Sequence, residues 1–307
     1  MRICSLLPAA TEILFAIGAG SDVVGVTHEC DYPPEAASRP ALIRPRIDVQ
    51  VEPGEIDRQV RECVEEGKSV YIVDAERLQQ ANHDLIITQD LCHVCAASPD
   101  DLASVLARWD AHPKLLSLAP ERLADVWGNI RLLGDVTGSR ASAESLAEQL
   151  ESRVRAVGTR TQFASRVRVL CLEWLDPPFI AGHWVPEMVE LAGGIPLLAR
   201  AGVPSVALDW REVLNSAPDV IVLMPCGYGL ERTLAEYASA PLPAGWWELP
   251  AVRNGRVTVV DAAYFSRPGP RLAEGTEILA RIFHPNIATA PFPPGSCAAP
   301  RRAAGAG

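Results

Sequence analysis

Residues 142–160 read Ser-Ala-Glu-Ser-Leu-Ala-Glu-Gln-Leu-Glu-Ser-Arg-Val-Arg-Ala-Val-Gly-Thr-Arg, without a proline in a chain that carries 26 of them. Apolar residues recur at 143, 146, 147, 150, 154 and 157, the three-four spacing of one helix face. Glu144, Glu148, Glu151, Arg153 and Arg155 fill the opposite face. A helix of about 20 residues is about 30 Å long, roughly the diameter of a small domain. The stretch is therefore expected to join two lobes as a stiff rod. An ordinary crossover helix is the plainer alternative.

On both sides of this segment, short apolar runs alternate with helical patterns. The strands expected before it are Arg2–Leu6, Val23–Thr27, Val70–Val73, Asp84–Thr88 and Leu115–Leu118. Those expected after it are Arg168–Glu173, Asp219–Met224 and Arg256–Asp261. Such alternation implies α/β layers with mostly parallel strands. A weak internal repeat points to two similar halves. Asp74-Ala-Glu-Arg-Leu-Gln-Gln-Ala-Asn-His-Asp84-Leu-Ile-Ile resembles Asp209-Trp-Arg-Glu-Val-Leu-Asn-Ser-Ala-Pro-Asp219-Val-Ile-Val. Each copy reads as a capped short helix, a turn, and a buried strand opened by Asp. The expected fold is two Rossmann-like α/β lobes with mostly parallel sheets, joined by one long backbone helix, with a ligand cleft between the lobes. The boundaries are 1–138, 139–163 for the helix, 164–286, and a disordered tail over 287–307 rich in Pro, Ala and Gly.

Composition narrows the function. Nearly half of the 307 residues are hydrophobic, enough for a full core, and the net charge of −10 argues against nucleic acid as the partner. The opening Met1–Pro8 is read as a strand and turn rather than a signal peptide, because Glu12 interrupts the apolar region and basic flanks are scarce. A helix is expected from Thr11 as N-cap to Gly18. As written the chain reads as cytoplasmic, without membrane insertion and monomeric; a chain trimmed of its signal, and so periplasmic or on the cell surface, would look much the same. Of the eight cysteines, Cys4 and Cys171 lie in apolar strand-like runs and read as inert core thiols. Their spacing does not suggest a disulfide framework.

Residues able to carry chemistry cluster after the expected strands. His28, Glu29, Cys30, Asp31 and Tyr32 follow the second strand, and Cys92, His93 and Cys95 follow the strand at 84–88. In parallel sheets such loops meet at the carboxyl edge. His28, Cys30, Cys92 and Cys95 could hold a soft metal. Cys92 and Cys95 could instead form a redox pair, or the small side chains could simply pack a tight turn. In the second half, Trp174 to Trp184, Cys226 to Tyr228, and Tyr264 to Arg271 follow three strands and bring aromatics together with Gly and Pro. Rigid rings of this kind suit a flat ligand. The sequence lacks a phosphate loop, a nucleophile elbow and a His-Glu-x-x-His motif, and nothing in it requires covalent catalysis.

The motifs Ser5-Leu-Leu-Pro-Ala-Ala-Thr-Glu12-Ile-Leu, Asp31-Tyr-Pro-Pro34, Pro177-Pro-Phe-Ile-Ala-Gly182, Glu190-Leu-Ala-Gly-Gly194 and Ser266-Arg-Pro-Gly-Pro-Arg271 resemble the cobalamin-binding proteins of ABC importers. These belong to the helical-backbone class of substrate-binding proteins, which also takes haem and iron-siderophores. The resemblance implies a corrinoid held between the lobes, as cargo of an importer permease or in a cytoplasmic carrier. It implies ligand contacts from His28, Glu29, Cys30, Cys92, Phe179, His183, Trp184, Cys226, Tyr228, Tyr264 and Arg267. It also implies docking of the importer through a surface glutamate on each lobe, for which Glu76 and Glu212 are the candidates, with Arg211 standing where the second glutamate is expected. The ligating loops at 28–30 and 92–95 depart from the family pattern and raise direct Cys or His coordination of the metal centre. The competing readings are haem, a siderophore or a metal ion on the same fold, or a thiol-redox enzyme using Cys92 and Cys95.

Overall fold

The structure, a computed structural model, describes residues 1–91, 99–107, 113–287 and 291–300. The chain forms two compact units: Met1–Pro120 with Ala124–Gln149, and Glu121–Leu123 with the chain from Leu150 onward.

The first unit runs β1 (Ile3–Ser5), α1 (Pro8–Ala16), β2 (Val23–Thr27), β3 (Ala41–Pro45), α2 (Pro53–Glu65), β4 (Tyr71–Val73), α3 (Ala75–Gln80), β5 (Leu85–Gln89), α4 (Pro99–Leu106), β6 (Lys114–Leu118) and α5 (Leu123–Thr137). Its sheet has the order β4-β3-β2-β1-β5-β6, with only β3 and β4 antiparallel. Cys4, Leu6, Leu42, Ile43, Leu78, Ile86 and Leu102 close its core. The expected start of the first helix needs correction. Pro8 opens α1 and Leu7 is the N-cap, without a side-chain cap. Thr11 lies inside the helix, where its hydroxyl donates to Ser5 Oγ at 2.8 Å. Proline fits the first helical turn because its missing N–H has no intrahelical partner there.

Helix α6 (Arg140–Thr161) covers the stretch expected to form the rod. Ala143, Ala147, Leu150, Val154 and Val157 are buried on the face that the spacing anticipates. On its other face, Arg131 of α5 donates to Glu144 at 3.0 Å, and Arg153 donates to both Glu277 oxygens at 3.0 and 2.8 Å. The first half of α6 belongs to the first unit and the second half to the second.

The second unit continues with β7 (Val167–Leu175), β8 (Pro178–Ile180), α7 (Val185–Leu191), β9 (Gly194–Pro196), β10 (Val206–Ala207), α8 (Trp210–Ser216), β11 (Val220–Leu223), α9 (Leu230–Ser239), α10 (Pro250–Arg253), β12 (Val257–Val260), α11 (Leu272–Phe283) and β13 (Cys297–Ala298). The sheet order is β10-β8-β7-β11-β12-β13, with β9 also on β7. The pairs β7–β11, β11–β12 and β7–β9 are parallel, whereas β7–β8, β8–β10 and β12–β13 are antiparallel. This sheet is therefore more mixed than expected, because a hairpin and a returning tail finish its edges. The tail expected to be disordered supplies β13, and Ser296 beside it is fully buried.

The repeat is real at atomic detail. In the first unit, Asp74 caps α3 by accepting Arg77 N–H at 3.0 Å. In the second, Asp209 caps α8 by accepting Arg211 N–H at 2.7 Å, while Glu212 accepts Asp209 N–H at 2.9 Å to complete a capping box. Each helix ends on a left-handed residue near its last turn, Asn82 with φ of 44° and Ala217 with φ of 42°.

Candidate functional site

In the first unit, the loop after β2 separates its candidates. Cys30 is buried, with its sulfur 3.1 Å from Thr11 Oγ1 and 3.4 Å from Thr27 Oγ1. It was expected to face a ligand; instead it joins α1 to the loop, because two hydroxyls offer it partners on the inner side. His28 and Glu29 stay toward the surface. His28 Nδ1 lies 3.2 Å from the Ile43 carbonyl, its Nε2 lies 3.9 Å from Glu29 Oε1, and its ring sits 6.1 Å from that of Tyr71. Cys92, His93 and Cys95 lie outside the described residues. Among the described residues, no group of three or more His, Cys, Asp or Glu could hold a metal ion.

In the second unit, three loops converge at the carboxyl edge of β7, β11 and β12. The β7–β8 hairpin places Trp174 opposite Phe179. Trp174 packs on Tyr228, 5.2 Å between centroids, and Tyr228 accepts Ala262 N–H through its carbonyl at 3.2 Å. These contacts tie the loops after β7, β11 and β12 together. Tyr228 is itself buried. Arg232 lies over its ring at 3.7 Å and donates to its hydroxyl at 2.8 Å. Trp184 is also buried, and its Nε1 donates to the Phe265 carbonyl at 2.7 Å. Both rings were expected at a ligand; they brace the loops instead, because each polar tip finds an internal partner.

The other candidates at this edge are Phe179, His183, Tyr264 and Arg267, all half-buried, and Cys226, which is exposed. Arg271 lies 5.5 Å from the Tyr264 ring. Arg232 and Arg271 were not picked out from sequence as contact residues, although Arg232 follows Tyr228 by four positions, the spacing of neighbours on a helix. His183 takes a left-handed backbone with φ of 52°. Burial depresses the basicity of its imidazole, and the charge of Glu121 partly offsets that. Burial pushes the thiols of Cys4 and Cys171 up to about 12. Glu76 is exposed in the first turn of α3 and accepts Gln80 Nε2 at 3.1 Å. Glu212 is occupied by its capping box, and Arg211 stands one residue earlier on the exposed first turn of α8.

Among the described residues, no helix is long and apolar enough to cross a membrane. A vitamin B12-binding protein of Vibrio cholerae is 27% identical over 285 residues, covering 90% of this chain and 86% of the relative. The crystal structure of the periplasmic vitamin B12 binding protein BtuF of Vibrio cholerae superposes with a TM-score of 0.68 at 23% identity, covering 92% of this chain and 95% of the other. The periplasmic heme-binding protein RhuT of Roseiflexus sp. RS-1 superposes with a TM-score of 0.70 at 27% identity, covering 92% and 98%. The family described as Periplasmic binding protein matches residues 3–264. Two α/β units, a helix shared between them and a match across most of the chain agree, and the chain belongs to the Periplasmic binding protein family.

Proposed function

We propose that this chain binds cobalamin or a related corrinoid and delivers it to an ABC importer without altering it. The observation that carries the reading is the carboxyl edge of the second sheet. There Phe179 and Tyr264 remain half-buried at the surface, while Trp174, Tyr228 and Trp184 hold the loops beneath them. Rigid rings presented on braced loops give contact area with little entropy left to lose on binding. The relatives named as vitamin B12-binding proteins support the corrinoid. In this reading the protein works on the outer side of the membrane. Glu76 makes the first docking contact with the permease and Glu212 the second, although the capping box leaves Glu212 less free to do so.

Haem is the second reading. It is favoured by the Roseiflexus structure and by Arg271 beside Tyr264, since guanidinium groups pair well with carboxylates. The residues present fit either metal-centred macrocycle. A direct Cys30–metal bond fits poorly, because its sulfur is buried between two threonines. An absorbance titration of the full chain with aquocobalamin and with hemin tests the proposal. Saturable binding of aquocobalamin is expected, and binding of hemin alone selects the second reading.

A further inference from the structure

We propose that His183 is the side chain that ligates the metal at the centre of the bound macrocycle, an inference that rests on the function proposed above. Four independent features single this residue out. Its φ of 52° lies in the left-handed region, uncommon outside glycine, although histidine is among the residues that enter it. The conformation is enforced from both sides: His183 N–H donates to the Val203 carbonyl at 2.7 Å, and Gly202 N–H donates to the His183 carbonyl at 2.9 Å. The preceding Gly182 admits no side chain, since a Cβ there would stand 2.4 Å from Ser205 N. The ring then stacks on Trp184, 5.6 Å between centroids at 27°, and Trp184 is pinned through its own Nε1 to Phe265. The fold thus holds this imidazole in one place and one orientation.

Position and protonation suit the role. His183 directly precedes α7, which leads back to β9, and β9 pairs in parallel with β7 at its start. The residue therefore stands at the carboxyl side of the sheet, with Phe179 and Tyr264. Burial disfavours the imidazolium form, which leaves the neutral ring that metal binding requires. Nδ1 is sealed from solvent and has no hydrogen-bond partner among the described residues. The side chain as a whole is half-buried, and Nε2 is the ring nitrogen left to meet the metal. Most metal-ligating histidines donate their second N–H to an acceptor that raises ligand basicity. His183 lacks that support, so its bond to the metal is weak and exchangeable, as suits a cargo that must be released. Neither His28 nor Cys226 is held in this way. His28 has Nδ1 at the Ile43 carbonyl and Nε2 facing Glu29, and Cys226 is an exposed thiol on a glycine-flanked loop.

The test compares the absorbance spectra of aquocobalamin and hemin bound to the full chain and to its His183→Asn and His183→Gly variants. Asparagine and glycine both tolerate the left-handed backbone, so these variants remove the imidazole while keeping the loop. A nitrogen-ligated spectrum is expected for the wild type. Both His183 variants are expected to bind the macrocycle with a spectrum shifted toward water ligation, restored by added imidazole. A shift in the hemin arm alone assigns the iron macrocycle, and one in the cobalamin arm alone the corrinoid. Spectra of both His183 variants identical to wild type would overturn the assignment while leaving the binding function intact. Failure of the wild type to bind either macrocycle would overturn both.

Discussion

The Asp219 carboxylate accepts the backbone N–H of Arg168 at 2.8 Å, while the Arg168 carbonyl accepts the N–H of Asp219 at 2.8 Å. Arg2 and Asp84 make the same reciprocal pair in the first unit, again at 2.8 Å in both directions. The two arginines complete the match. Arg168 donates to the Ser216 carbonyl at the end of α8, and Arg2 donates to the Ala81 and Asn82 carbonyls at the end of α3. One device thus ties the first strand of each unit to its neighbour and caps the helix between them. Asp219→Ala removes a charged acceptor at a partly exposed site and is expected to cost about 1 kcal/mol in denaturant unfolding. Asp219→Asn keeps an acceptor oxygen and should cost less.

The capping box on α8 separates stability from docking. Asp209→Ala should destabilise by about 1 kcal/mol. Glu212→Gln retains the acceptor for Asp209 N–H and should leave unfolding nearly unchanged. If Glu212 also docks the permease, the glutamine variant will lose transporter stimulation while keeping its melting temperature, which a transport assay beside thermal unfolding can read.

Gly275 links core packing to the ligand edge. A Cβ at this position would stand 2.2 Å from the Tyr264 carbonyl and 2.9 Å from Met188 Cε. Gly275→Ala is therefore expected to push the loop bearing Tyr264 outward and to weaken macrocycle binding, although residue 275 does not belong to the candidate contact set. Binding isotherms of the variant at a temperature where it remains folded check this.

The buried thiols make an alkaline prediction with a definite sign. Burial pushes the Cys4 and Cys171 thiols up to about 12, from an ordinary value of 9.0. Between those values the unfolded chain has lost thiol protons that the folded chain keeps. Stability is thus fully present below about pH 9 and falls as pH rises toward 12. A Cys4→Ala, Cys171→Ala double variant should show a shallower alkaline decline, even though it starts less stable at neutral pH. In the same vein, alkylation of the native protein near pH 8 should label exposed Cys226 and spare both buried thiols, as peptide mapping will show.

Much of this fold is legible in the sequence, because strongly apolar runs and a proline-free amphipathic stretch have few alternatives. The strands β1, β2, β5, β6, β7, β11 and β12 all fall on such runs. Strand β3 is harder to read: prolines flank Ala-Leu-Ile-Arg, and the strand forms because β2 and β4 accept it on either side. Strands β8, β10 and β13 are short pieces of two or three residues whose pairing is decided by tertiary position. The candidate site is legible only as a set of loops. Residue type marks Cys30, Trp184 and Tyr228 as contacts. Their burial depends on Thr11, Phe265 and Arg232, which no local pattern connects to them. The special character of His183 is likewise set by Val203 and Gly202, not by its neighbours in sequence.

The central claim is that the braced rings at the edge of the second sheet bind a metal-centred macrocycle. Calorimetric titration of aquocobalamin into the full chain, alongside the Phe179→Ala, Tyr264→Ala double variant, tests it most directly. Saturable binding of one macrocycle per chain, weakened at least tenfold or about 1.4 kcal/mol in the double variant, is the expected result. Equal affinity in the two proteins, or no heat of binding with either aquocobalamin or hemin, would contradict it.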